Sequence, residues 1–185
     1  MERIKRLDPK RCGLLVVDIQ ERMMRVIPAR DEVVRNSVLL IKTAKELGLP
    51  IVATTQYVAK IGALLPEITA EMPEVQVIDK LEFGCFTNPN ALAALQAHEK
   101  VDTWITCGVE THICMYQTVA GGINSGYDMW VPADAVASRA MKNYETGLAR
   151  IREIGGVVAN TEMIIYELLG KAGTPVFKAL LPFLK

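Results

Sequence analysis

The chain has 185 residues, with 21 Lys plus Arg against 21 Asp plus Glu and no net charge. That length suits a single domain spanning residues 1–185, able to bury about 70% of its unfolded surface. Neutrality without a basic stripe argues against nucleic-acid partners and anionic membranes, and no apolar run approaches the ~20 residues of a membrane helix.

The start, Met1-Glu2-Arg3-Ile4-Lys5-Arg6, lacks the hydrophobic core of a signal segment, so a cytoplasmic location is expected. Cys12-Gly13-Leu14-Leu15-Val16-Val17 is a continuous apolar run ending at Asp18, the pattern of a strand buried on both faces. Asp31 opens a helical pattern in which Val34, Val38, Ile41, Ala44 and Leu47 recur at three- and four-residue steps. Gly48 and Pro50 end it. Ile51 to Thr54 reads as the second strand. From Gln56 to Pro73 the chain reads as a long loop with one helical turn, punctuated by Gly62, Pro66 and Pro73. Val75 to Ile78 is the third strand, ending at Asp79-Lys80. Asn88-Pro89 starts a helix that runs to about His98, with Asn as cap and Pro at the first position.

Val101 to Cys107 is the fourth strand, the helix after Glu110 reaches about Ser125, and Asp128 to Val131 is the fifth strand. A helix from about Asn143 to Ile154 stops at Gly155-Gly156. Val157 to Ala159 makes the sixth strand and Met163 to Leu169 a short helix. The apolar tail from Pro175 to Leu184 either docks on its own domain or packs on a neighbouring subunit. That tail and the Met-rich stretch 115–141 lead us to expect a homo-oligomer.

Strands alternating with helices six times imply a three-layer α/β/α fold. Its six-stranded, mostly parallel sheet is Rossmann-like, in the order 3-2-1-4-5-6. In such sheets ligands bind beyond the carboxyl ends of the strands, where strand order reverses. Asp18, Lys80 and Cys114 all occupy such positions and converge on one rim. Cys114 lies where a helix begins, and the free N–H groups and dipole there favour thiolate over thiol. Each residue alone has a plain structural explanation. Asp18 with Glu21 has capping-box spacing, a lone lysine is usually solvated, and cysteine is among the most buried residue types. Convergence is what argues for chemistry. Cys12, Cys85 and Cys107 read as core thiols of a reduced protein, since no CxxC pair is present. His98 and His112 have no metal-ligand spacing. Gln20, Gln56, Tyr57, Phe83, Phe86, Glu110, His112 and Tyr116 lie near the rim as candidates for a pocket wall.

Four segments carry a resemblance. They are Leu15-Val16-Val17-Asp18-Ile19-Gln20, Asp79-Lys80-Leu81-Glu82-Phe83, Gly108 to Cys114, and Asp134-Ala135-Val136-Ala137-Ser138-Arg139. In this order they resemble the isochorismatase-like cysteine hydrolases, over residues 12 to about 165. The resemblance implies a catalytic triad of Asp18, Lys80 and Cys114. It also implies a cis peptide at Val109–Glu110 and an oxyanion hole built from the backbone N–H groups of Glu110 and Cys114. It points to Phe83 against the substrate, with Gln20, Gln56 and Tyr57 as further pocket residues.

Metal-binding nicotinamidases of this family carry Asp and His after the second strand, where this chain has Thr55-Gln56-Tyr57. Neither a metal nor another cofactor is therefore expected. Thr-Gln-Tyr is similar to the branch called isochorismatase domain-containing proteins, whose substrates are unassigned. Retention of the cysteine favours acyl chemistry over vinyl-ether cleavage. The implied activity is hydrolysis of a C–N bond, amide or carbamoyl, in a small molecule through a Cys114 thioester. A non-catalytic binding or assembly module, and a thiol redox sensor at Cys114, are the alternatives.

Overall fold

The computed structural model describes residues 6–184. Seven parallel strands form one sheet: β1 (Cys12–Val17), β2 (Ile51–Gln56), β3 (Val77–Lys80), β4 (Thr103–Val109), β5 (Asp128–Pro132), β6 (Val136–Ala137) and β7 (Val157–Ala159). Their order is β3-β2-β1-β4-β5-β7, with β6 added beside the end of β4. The expected order is thus present, with β7 as its sixth strand. The correction is the seventh strand, β6, two residues long and too short to leave a pattern of its own.

The helices are α1 (Glu21–Met24), α2 (Arg30–Leu47), α3 (Val58–Ile61), α4 (Pro66–Thr69), α5 (Pro89–Gln96), α6 (Tyr116–Asn124), α7 (Met141–Glu153), α8 (Thr161–Leu169) and α9 (Pro175–Leu180). The stretch 56–73 therefore holds two short helices rather than one turn. At α5 the Asn88 side chain accepts from the N–H groups of Asn90 and Ala91, so the expected cap is in place. The tail docks on its own chain, with Leu180 buried and the Lys42 ammonium 4.9 Å from the centre of the Phe183 ring.

β1 shows why the sheet lies between two helical layers. Side chains alternate across a strand, and here both sets are apolar. Leu14 and Val16 join Ile41, Ile105 and Ile165 in one core, which α2 and α8 cover. Leu15 and Val17 join Leu95, Trp104, Val119 and Ile151 in the other, under α5, α6 and α7.

From β1 the chain builds β2 and β3 on one side and β4, β5 and β7 on the other, so strand order reverses between β1 and β4. Their carboxyl ends run close together. A Cβ on Gly108, at φ 131°, would lie 1.9 Å from the Val17 carbonyl oxygen, so only glycine fits.

Candidate active site

Asp18 is the first residue beyond β1, in the left-handed region at φ 56°. That conformation costs an L-residue about 1–2 kcal/mol and is best tolerated by Asp and Asn. It does not cap α1: the residue before that helix is Gln20, whose side chain makes no capping bond. Instead one carboxylate oxygen accepts from the Lys80 ammonium at 2.6 Å and the other from the Thr54 hydroxyl at 2.8 Å. Parallel pairing sets this up, because Thr54 lies opposite Val17 and Lys80 opposite Gln56.

Lys80 ends β3 with no exposed side-chain surface. Its other two donors go to Gln56 Oε1 at 3.0 Å and the Phe83 carbonyl at 3.3 Å. A buried ammonium with three acceptors, one of them charged, is a fixed charge rather than a solvated one. Burial pulls its pKa down, but the charge of Asp18 and the neighbouring Cys85 and Cys114 outweighs this and leaves it raised.

Cys114 enters from β4 through the cis peptide Val109–Glu110 and a π-helical turn, Thr111–Met115, which leads into α6. The Glu110 carbonyl accepts from the N–H of Ile113, three residues on, at 3.0 Å and from that of Met115, five residues on, at 3.2 Å; the five-residue bond winds the turn wider than an α-helix. The Cys114 thiol is buried and feels the charges of Asp18 and Lys80. Burial first, and then the Asp18 carboxylate, push its pKa up, with Lys80 opposing. This corrects the expectation of a resting thiolate. Desolvation and a nearby anion outweigh the helix terminus, so the sulfur rests as a thiol. Burial also raises Asp18, against Lys80 and the Thr54 hydroxyl.

The sulfur opens onto a cavity of about 320 Å³. Gln56, Phe83 and Glu110 line it, as expected, together with Arg22, Lys60 and Arg139, which sequence patterns did not single out.

Other expected wall residues lie elsewhere, and each has a reason. Gln20 is buried behind Gln56, where its amide bridges the main chain: it donates to the carbonyls of Gln56 at 3.0 Å and Gly62 at 2.6 Å and accepts from the Gln56 N–H. Tyr57 turns outward, 42% exposed, while its N–H donates to the Lys80 carbonyl. Phe86 is core, its ring centre 5.6 Å from that of Tyr127 at a tilt of 47°. His112 and Tyr116 face α7 and its entry, bonded to Ser138 and Asn143 and to Arg150 respectively. Cys12 and Cys107 are buried in the core. Cys85 is buried too, but its sulfur is 3.8 Å from the Thr54 hydroxyl and so borders the site.

A fully buried Lys-Asp pair with a cysteine as third member, all at the carboxyl end of a doubly wound sheet, narrows the choice of relatives. The isochorismatase domain profile matches residues 12–163. The chain belongs to the isochorismatase family. The secreted isochorismatase effector Isc1 of Phytophthora sojae is 32% identical over all of this chain and 89% of its own length. Among solved structures, MAR1 ribonuclease from Caenorhabditis elegans superposes with a TM-score of 0.91 at 27% identity, over 97% of this chain and 92% of its own. The YcaC protein of Escherichia coli, an octameric hydrolase of unknown specificity, shares the fold, with a TM-score of 0.88 at 23% identity over 100% and 89%. As an isochorismatase-family hydrolase, the chain has no described helix long and apolar enough to cross a membrane.

Proposed function

We propose that this isochorismatase-family protein is a cysteine hydrolase cleaving an amide or carbamoyl C–N bond in a small molecule. Cys114 is the nucleophile, Asp18 its base, and Lys80 the fixed charge that holds Asp18 in place. The observation carrying this reading is the buried Lys80–Asp18 contact at 2.6 Å, with the buried Cys114 thiol within electrostatic reach of the same carboxylate. A buried ion pair seldom stabilises a fold better than apolar packing would, so its presence beneath a cavity favours a chemical role.

The resting thiol determines the order of events. As sulfur attacks the carbonyl carbon, its proton passes to Asp18 and the S–C bond forms. The oxyanion is met by the backbone N–H groups of Glu110 and Cys114. The tetrahedral intermediate collapses, the C–N bond breaks, and Asp18 returns the proton to the leaving nitrogen. Water then hydrolyses the thioester with Asp18 again as base. Lys80 keeps its charge throughout and offsets that of the carboxylate.

A neutral chain and a small cavity favour a small molecule over a nucleic-acid strand. We further read the chain as one domain that assembles with copies of itself, as the octameric neighbour does. Four free cysteines suit a reducing, cytoplasmic setting. The experiment is a panel of primary amides and N-carbamoyl compounds assayed with wild type and Cys114→Ala. Turnover should fall by at least about a thousandfold in the variant, as for removal of other covalent nucleophiles. A rate unchanged in the variant sinks the scheme, and no turnover of any compound by wild type leaves a binding module.

A further inference from the structure

We propose that the cavity selects substrates bearing a carboxylate beside the scissile carbonyl, read by Arg22 and Lys60 at its mouth. This deepens the hydrolase reading and rests on it. Three cations line the cavity, Arg22, Lys60 and Arg139, against one carboxylate, Glu110. Glu110 is already spent: its oxygens take the Arg139 Nε–H at 3.0 and 3.1 Å and the Arg139 backbone N–H at 2.8 Å. That pair cancels. Beneath it, Lys80 and Asp18 cancel as well.

Arg22 and Lys60 remain. They stand together, because Arg22 Nη1 donates to the Lys60 carbonyl at 2.6 Å, which anchors the guanidinium on a neutral acceptor. Among the described residues, neither side chain has a carboxylate partner.

The remaining wall is largely apolar, from Met23, Ile27, Ile61, Phe83 and Ile113. Both side chains are exposed, so water screens them in part, while the apolar wall beneath strengthens their attraction for an anion. That wall also disfavours a strongly hydrated dianion such as phosphate, whose desolvation cost is larger. At about 320 Å³ the cavity is near the lower end for small-ligand sites. The anionic group and the carbonyl facing Cys114 therefore belong to one compact molecule.

Iodoacetate and iodoacetamide test this with one chemistry and two charges. Each alkylates the sulfur: the S–C bond forms, iodide leaves, and Asp18 keeps the thiol proton. Rates at Cys114 are read by peptide mass at low salt, with glutathione as the reference thiol. The iodoacetate-to-iodoacetamide ratio at Cys114 should exceed that of glutathione by at least about tenfold and shrink toward it in 0.5 M salt. Arg22→Gln/Lys60→Gln should remove the excess, and Arg22→Lys/Lys60→Arg should keep it. Lys60→Gln alone, which breaks no side-chain bond among the described residues, should cut it by about threefold.

A ratio at or below that of glutathione, or one indifferent to the glutamine substitutions, overturns the inference and leaves the hydrolase reading standing. A Cys114 inert to both reagents overturns the hydrolase reading, and the inference with it.

Discussion

Burial and Lys80 dominate the titration of Asp18, and Thr54 adds to it. The Thr54 hydroxyl donates to the buried carboxylate at 2.8 Å, and a bond to the charged form favours that form. Burial already holds the Asp18 pKa above the ordinary carboxylate range. Thr54→Val keeps the side-chain shape and removes the donor, so Asp18 rises further. The acidic limb of the pH profile for Cys114 alkylation should then move to higher pH by about one unit, the equivalent of a ~1.4 kcal/mol hydrogen bond to a charged group. A limb that stays in place would show that Asp18 does not carry that ionisation.

The contrast between Thr54 and Asp18 shows what a sequence conveys about a site. Asp18, Lys80 and Cys114 are legible because chemistry-bearing side chains at strand ends must meet on one rim. Thr54 is not, because its role arises from register, its place opposite Val17, and register leaves no mark on composition. Gln20 misleads for the complementary reason: a polar residue near a rim can face the main chain as readily as a ligand, and its amide does so.

At the level of elements, the turn 111–115 is held from outside by α7. A Cβ on Gly147 would lie 2.9 Å from the His112 backbone nitrogen and 3.0 Å from its Cα. Backbone atoms cannot swing aside as a flexible side chain can, so Gly147→Ala must push α7 off the turn or tilt the turn itself. Overpacking of this kind costs about 1–3 kcal/mol. The variant should melt earlier and alkylate at Cys114 more slowly than wild type at a temperature where both are folded. A lower melting point with unchanged alkylation would show that α7 supports the fold without setting the sulfur's position.

The helix after Glu110 is apparent from its apolar spacing, but the five-residue π turn that opens it is not. Its wider winding comes from the five-residue bond between the Met115 N–H and the Glu110 carbonyl, a property of the folded backbone. β6 and α3 escape notice for another reason. Elements of two and four residues are shorter than the periods by which strands and helices are recognised.

The whole molecule carries its buried thiols as a liability at high pH. Burial raises Cys85 from 9.0 to about 11 and Cys107 from 9.0 to about 12. Cys12 also reaches about 12, with burial again the leading cause. Above pH 9 an unfolded chain gives up these protons while the native state keeps them, so the native state binds more protons and stability falls as pH rises. Each thiol removes about 1.4 kcal/mol per pH unit across that window. Cys114, whose pKa burial also raises, makes four, and together they remove roughly 6 kcal/mol per unit, against a total stability of about 5–15 kcal/mol for a domain. Urea unfolding under reducing conditions should therefore show a steep loss of stability beginning near pH 9, with little change from pH 7 to 8. Cys107→Ala lowers stability at every pH by opening a cavity, yet it should flatten the slope by about a quarter, because one of four titrating thiols is gone. A slope identical to that of wild type would place the alkaline sensitivity in groups other than the buried cysteines.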